Sequence, residues 1–425
     1  MLIEFRVRNY RSFYQPQVLS MVAAKDTSLQ KSNCMESGIT VAPKLLRSAV
    51  LYGPNACGKS NLIAALAVMR DLVATSTVGI REGQALPVTP FRLFPEAIDE
   101  PTEFEITFIE GGVRYQYGFA LTEKRIMHEW LLADTGHKAQ RWFERAYDSK
   151  ANKEEWYLGS YLLGGKQRQL WQDSTRANAL FLSTAVNLNS SQLRPIFNWF
   201  VNKLVILAGN ALSPPVSTLD RMSNEVEKAR IIEFLQAADL GIMDVKVEKR
   251  SLSAQQMISR FEAGRLVEQT FKEMEQPVTT ITSFHHDKNN AAVAFNFITD
   301  ESQGTKRLFD YAGPILDALQ HGRILVVDEL DNSLHPKMVR FLMSLIHNPE
   351  LNKNKAQFIF STHDTSLLDT DLFRRDQIWF IEKDTEQASK LYPLTDFSPR
   401  KDEALEKGYL MGRYGALPFF GELKF

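Results

Sequence analysis

Cysteine is nearly absent from this 425-residue chain: only Cys34 and Cys57 occur, too few for a disulfide framework, and a reducing cytoplasm suits them. Neither sign of charge is in excess. The 50 Lys and Arg against 51 Asp and Glu leave a formal net charge of −1, which excludes whole-molecule basicity and confines any nucleic-acid contact to a local patch. No run approaches the roughly 20 apolar residues of a membrane span. The opening MLIEFRVRNY is interrupted by Glu4, Arg6 and Arg8, so neither a membrane contact nor a secretory leader is expected. Internal repeats, low-complexity tracts and long linkers are also missing. What remains is 44% hydrophobic and 24% charged, the composition of a soluble globular protein. The length suits one large α/β domain with an inserted lobe, or two domains.

Apolar periodicity places the elements. Ile3, Phe5 and Val7 alternate with charges and predict a half-buried strand. Ser48–Tyr52 is a short apolar run ending at Gly53, as a buried strand would be, and Leu62, Ile63, Leu66, Met69, Leu72 and Val73 then follow at helical spacing. Residues 103–120 alternate on both sides of Gly111-Gly112, which predicts a hairpin. Residues 190–207, broken or started by Pro195, and residues 217–238 are expected to be helical. Strands are expected at Val278–Phe284, Ala291–Ile298, Ile324–Val327 and Phe358–Phe360. This ordering divides the chain into an N-terminal part of a head (1–124), an inserted, mostly helical lobe (125–275) and a C-terminal part of the head (276–425).

The chemistry concentrates in three segments. Gly53-Pro54-Asn55-Ala56-Cys57-Gly58-Lys59-Ser60 matches the phosphate-binding loop at every required position, with a strand before it and a helix after it. Glycines let successive N–H groups face phosphate oxygens, and the helix start adds its positive dipole end. Lys59 would reach the β- and γ-phosphates of ATP, and the Ser60 hydroxyl would ligate Mg2+; Asn61 joins the nucleotide contacts. Ile324-Leu325-Val326-Val327 ends in Asp328-Glu329. Successive side chains of a strand diverge, so the acids take different tasks: Asp328 positions Mg2+ and Glu329 polarises the attacking water. Gln357–Phe360 then leads into Ser361-Thr362-His363-Asp364, placing a histidine at a strand end, where it could contact the γ-phosphate and orient water. His285-His286-Asp287 suggests a metal far less than a solvated hairpin end, because no third ligand motif follows. Arg374-Arg375 fits a salt-bridged surface at least as well as a nucleic-acid contact, and Trp171, Trp199 and Phe200 are expected in a core.

The ordered set of phosphate loop, Glu301-Ser302-Gln303-Gly304-Thr305, VVDE and STHD resembles the ABC-type ATPase heads of the SMC and RecF class, and Asn9-Tyr10-Arg11-Ser12-Phe13 resembles their opening. The RloA-like bacterial ATPases, linked to phage defence, are similar in further stretches: Glu329–Pro336, Arg374–Phe380 and Gly412-Arg413-Tyr414-Gly415. The resemblance implies an α/β, ABC-type P-loop NTPase head. It implies that Ser302 and Gly304 form a signature segment contacting the γ-phosphate held by another subunit. Asp331 would then lie in the loop between two sites, Arg11 near the nucleotide, and His363 would be the switch histidine. SQGT stands where transporters carry SGGQ, which favours soluble heads. Gln84 is a candidate for the glutamine loop by rough position alone.

The function expected is therefore ATP binding and hydrolysis with Mg2+ by a cytoplasmic homo-oligomer, at least a dimer, that controls a separate effector in anti-phage defence. A nuclease encoded by a neighbouring gene is the candidate for that effector; the segment from Asp364 to Phe425 shows no acidic metal-binding cluster. The alternatives are a DNA repair or recombination clamp with DNA between its heads, or a nucleotide-held scaffold with negligible turnover.

Overall fold

Strand β1 (Ser48–Tyr52) is buried at all five positions, and so are β3 and β4 below, as strands covered on both faces must be. The structure, a computed structural model, describes residues 1–136, 138–207, 216–238, 240–262, 265–400 and 403–418; over 216–217 and 250–278 it describes the backbone alone. With β2 (Leu204–Leu207), β3 (Ile324–Val327), β4 (Gln357–Ser361), β5 (Ile378–Lys383) and β6 (Ser389–Pro393), β1 forms a six-stranded sheet of order β2-β3-β4-β1-β5-β6. Every pairing is parallel except β5 with β6. Parallel neighbours require crossovers. Helix α1 (Lys59–Thr75) follows β1, and α2 (Pro336–His347) lies between β3 and β4 in sequence.

A seven-stranded antiparallel sheet is built from residues 2–8, 17–20, 102–110, 113–121, 126–134, 139–148 and 153–158. Gly111 and Gly112 have φ of 57° and 77°, the left-handed pair of a two-residue hairpin, and Glu110 pairs with Val113 across the turn. One core joins this sheet to α1 and the parallel sheet: Phe5, Phe104 and Phe108, then Leu62, Leu66 and Met69, then Leu51 and Val326. Each such side chain contributes about 1.5–3 kcal/mol by leaving water. Trp171, Trp199 and Phe200 are buried in the same core, and Trp199 stacks on Phe108 at 4.0 Å. A charged pair is also inside. Arg145 Nε donates to Glu129 Oε2 at 2.9 Å, and that carboxylate also accepts from the Tyr117 hydroxyl and the Phe181 and Leu182 N–H groups.

Contacts divide the chain into Met1–Asn210 with Asp317–Phe425, and Ala211–Leu316. Residues 126–158, expected in a mostly helical lobe, instead extend the antiparallel sheet. The buried charges Glu129 and Arg145 stand where apolar residues would complete the alternation, which hid the strand period. Of the span 190–207, expected to be helical and broken or started at Pro195, Arg194–Asn198 is a helix with Pro195 in its first turn, a π turn follows over Trp199–Lys203, and the end is the strand β2. Within the second unit, helices cover Val216–Arg221 and Glu225–Ala237. The Asn224 side chain accepts from the Val226 and Glu227 N–H groups and starts the second of these. Two long antiparallel strands, Ile242–Glu262 and Arg265–His286, are the unit's main feature.

Candidate functional site

The carboxyl ends of three adjacent parallel strands meet: β1 delivers Gly53, β3 delivers Asp328 and β4 leads to His363. This edge is where open α/β sheets bind ligands. The loop from Gly53 to Gly58 has a backbone that side chains resist. Gly53 has φ 153° and Gly58 φ 122°. A Cβ on Gly53 would lie 2.2 Å from the Ile381 carbonyl oxygen; on Gly58 it would lie 2.5 Å from Ser389 Oγ and 2.9 Å from Ser12 Oγ. Ala56 is left-handed as well, at φ 60°. Pro54 and Asn55 form the outer lip, and α1 begins at Lys59.

Lys59 is buried, and its Nζ donates to the backbone carbonyls of Gly53 at 2.6 Å and Pro54 at 3.1 Å. Burial pushes its pKa down, against the opposing pull of Cys57, Asp328, Glu329 and Asp331. Among the described residues no carboxylate pairs with this ammonium, so the two loop carbonyls carry its hydrogen bonding and its charge is not neutralised by a direct partner. Ser60 and Asn61 open the helix, with Ser60 exposed. The Asn61 amide donates to Ser12 Oγ at 2.8 Å, and Arg11 Nη1 donates to Asn61 Oδ1 at 3.4 Å. The structure thus brings Arg11 to the start of α1.

Asp328 Oδ1 accepts the Ser361 hydroxyl at 2.6 Å, and Ser361 Oγ in turn accepts the Glu329 N–H at 2.8 Å. Glu329 has a left-handed backbone, φ 52°, a strain that sites of chemistry commonly hold. Asp331 Oδ2 accepts the His363 N–H at 3.1 Å, while its buried Oδ1 has no partner among the described residues. The His363 ring is exposed; the part that is out of solvent, and then Lys59, lower its pKa against Asp331, Glu329 and Asp328. Lys59, Asp328, Glu329, Asp331 and His363 therefore share one electrostatic environment. A cavity of about 880 Å3 opens beside them, lined by Gly53, Asn55, His363, Glu382 and Tyr409 among others.

Three serines in this site had no role assigned from the sequence: Ser12, Ser361 and Ser389. Ser389 Oγ donates to the Cys57 carbonyl at 2.5 Å and its N–H to the Ser12 carbonyl at 2.7 Å. Ser12 and Ser361 stand inside the motifs NYRSF and STHD, which was the available signal; nothing marks Ser389.

Ser302 and Gly304 lie in the second unit. Ser302 Oγ accepts the Thr305 N–H at 3.1 Å and caps the helix Gln303–His321, with Gly304 in its first turn. Glu301 just before it is held by His285 Nε2 at 2.6 Å and Ser283 Oγ at 2.5 Å. His286 and Asp287 bond within their own turn, the hairpin end expected, and no group of three or more His, Cys, Asp or Glu among the described residues could hold a metal. Gln84 is not tied to the phosphate loop by any bond described; its side chain accepts the Arg81 N–H at 3.0 Å. Arg374 is buried and paired with Asp376 at 2.6 Å, and Arg375 pairs with Asp26 at 2.5 Å. Both cysteines are free and buried. No described helix is long and apolar enough to cross a membrane.

Among the solved structures similar to the chain are two heads of the SMC type. One is the SMC head domain from Thermotoga maritima, at 14% identity over 92% of this chain and 98% of that chain, TM-score 0.38. The other is the Smc head domain with a coiled coil and joint derived from Pyrococcus yayanosii, at 10% identity over 94% and 99%, TM-score 0.40. No curated protein matches the chain. Residues 48–369, most of the chain and all three motif-bearing strand ends, match the family described as "AAA domain, putative AbiEii toxin, Type IV TA system", and this mixed α/β P-loop NTPase belongs to that family.

Proposed function

We propose that the chain binds ATP with Mg2+ at the loop Gly53–Asn61 and hydrolyses it to ADP and phosphate. The observation that carries this reading is Lys59: a buried ammonium whose described bonds go to loop carbonyls, within the field of three carboxylates and near enough to His363 to lower its pKa. Loop N–H groups and Lys59 hold the phosphates; Arg11 and Asn61 flank them. The donor set fits Mg2+: the exposed Ser60 hydroxyl and the Asp328 oxygen left over by Ser361 are hard oxygen ligands. When bound, that ion neutralises phosphate charge. Glu329 orients and deprotonates the attacking water, His363 in its neutral form contacts the γ-phosphate region, and Asp331 fixes the backbone of His363.

Ser302 and Gly304, at a helix start whose N–H groups suit an anion, complete the site of a second copy, making the active form at least a dimer. We assign the whole to bacterial anti-phage defence through a separate effector protein. The family's description names a toxin and a Type IV TA system, which supports a role with a partner protein. The test is turnover and nucleotide affinity in two variants. Lys59→Ala should lose ATP binding, and Glu329→Gln should keep binding while losing hydrolysis. Wild-type turnover in Glu329→Gln would sink the assignment.

A further inference from the structure

Arg47 stands immediately before β1, at the opposite end of the strand from Gly53. Only 6% of it is exposed. Its Nη1 donates to the Asn352 carbonyl at 3.0 Å, its buried Nε has no hydrogen-bond partner, and no carboxylate pairs with it among the described residues. A buried, unpaired guanidinium is costly unless an anion completes it. It lines a cavity of about 520 Å3, within the range of small-molecule sites, roughly 300–1,000 Å3. Four lysines share the wall: Lys31, Lys44, Lys353 and Lys355. Their anionic company is thin. Glu36 lies 3.8 Å from Lys44, Glu350 lies 3.6 Å from Lys353, and both acids are well exposed, so each pair is worth little, about 0–1 kcal/mol. Lys355 Nζ donates to the Glu36 backbone carbonyl at 2.9 Å.

We propose that this cavity is a second anion site, for a phosphate-bearing small molecule of about nucleotide size. Lysines at the rim capture the charge, and the Arg47 guanidinium in the wall adds a fixed positive charge at the floor of the site. Cys34, Met35 and Pro349 add an apolar wall against which an organic group packs. A polynucleotide backbone would reach the rim lysines but not a guanidinium so deeply covered. The site is separate from the phosphate loop, since Arg47 and Asn352 precede β1 and β4 whereas Gly53 and His363 follow them.

The experiment is calorimetric titration of the full chain carrying Lys59→Ala with inorganic pyrophosphate, so that binding at the phosphate loop does not contribute. One site per chain is expected. Adding Lys31→Glu and Lys353→Glu should weaken it at least about tenfold, with an unchanged melting temperature; both side chains are exposed and leave the fold intact. Arg47→Met should abolish binding, and if that variant does not fold, the rim variant decides. Absence of binding in Lys59→Ala, or equal affinity in the rim variant, overturns the proposal. Displacement of pyrophosphate by single-stranded DNA at lower concentration overturns the small-molecule assignment in favour of a nucleic-acid surface.

Discussion

The Ser361 hydroxyl donates to Asp328 Oδ1 at 2.6 Å, binding the end of β4 to the acid at the end of β3. The same oxygen accepts the Glu329 N–H at 2.8 Å, so one serine orients both acids. Replacing a group that supports a metal-binding carboxylate typically costs 10–100-fold. Ser361→Ala should therefore lower ATP turnover by about that factor and raise the Mg2+ concentration needed for half-maximal rate. Ser361→Thr, which keeps the hydroxyl, should restore most of the loss. Titrating Mg2+ against turnover in the two variants checks it; an unaltered Mg2+ requirement in Ser361→Ala would assign Ser361 a purely structural part.

Gly58 tests the shape of the phosphate loop without removing a charge. A methyl there would press on Ser389 Oγ and Ser12 Oγ, and Ser389 Oγ is already committed to the Cys57 carbonyl. The backbone φ of 122° adds strain of about 1–3 kcal/mol. Gly58→Ala should weaken nucleotide binding at least about tenfold while the chain still folds, because the substitution disturbs one loop and not the core. Gly111→Ala, also at positive φ but with nothing within 4 Å, is the control and should bind as the unaltered chain does.

Much of this site was legible because its chemistry sits at strand ends. An apolar run followed by glycines or acids marks a buried parallel strand and its carboxyl end together, so the sequence singles out Gly53, Lys59, Asp328, Glu329 and His363, which the structure brings to one sheet edge. Ser389 is not singled out, because it acts across β6 on a loop far away in sequence and carries no motif. The strands at 126–158 escaped for a different reason. They lie toward one edge of an antiparallel sheet whose half-exposed face carries Arg141 and Glu144, and Arg145 breaks the alternation by putting a charge on the buried face. Arg145 is in fact buried against Glu129, a tertiary pairing that no local pattern announces. The single helix expected over 217–238 divides at Met222–Asn224 because Asn224 caps a new helix start, a choice its apolar spacing does not record.

If Ser302 completes a partner's site, defects in different sites should complement. Chains carrying Lys59→Ala have an intact signature segment, and chains carrying Ser302→Arg have an intact phosphate loop. Mixed dimers would then hold one whole site of two, and a part of the activity should return, up to about a quarter for randomly mixed dimers, of which about half are mixed. Turnover of the mixture, with the mixed species verified by tagged co-purification, checks it. No recovery in verified mixed species would count against a shared site and leave the Lys59 assignment untouched.

His347 makes acid stability a property of the core beneath the site. The ring is buried, with its pKa lowered from 6.5 to about 3, first by burial and then by the nearby Arg47 charge. Its Nε2 lies 2.8 Å from Ser48 Oγ. The Gln377 amide donates to the Ser48 hydroxyl and carbonyl oxygens at 2.7 and 3.1 Å, which leaves the Ser48 proton to point at His347. The imidazole must therefore accept, and the folded chain holds it neutral. In the unfolded chain the same group takes up a proton below its ordinary pKa near 6.5. The unfolded state thus binds more protons between about pH 3 and 6.5, and stability falls as pH drops through that window, by up to about 1.4 kcal/mol per pH unit. His347→Gln keeps an acceptor but cannot be protonated. It should cost about 1–3 kcal/mol at pH 7.5 through imperfect packing and bonding, yet flatten the dependence between pH 6.5 and 4. Urea unfolding at pH 7.5, 6 and 5 on both proteins checks this. Parallel pH profiles would show that the acid sensitivity comes from other groups, and that the His347 ring can be protonated where it sits.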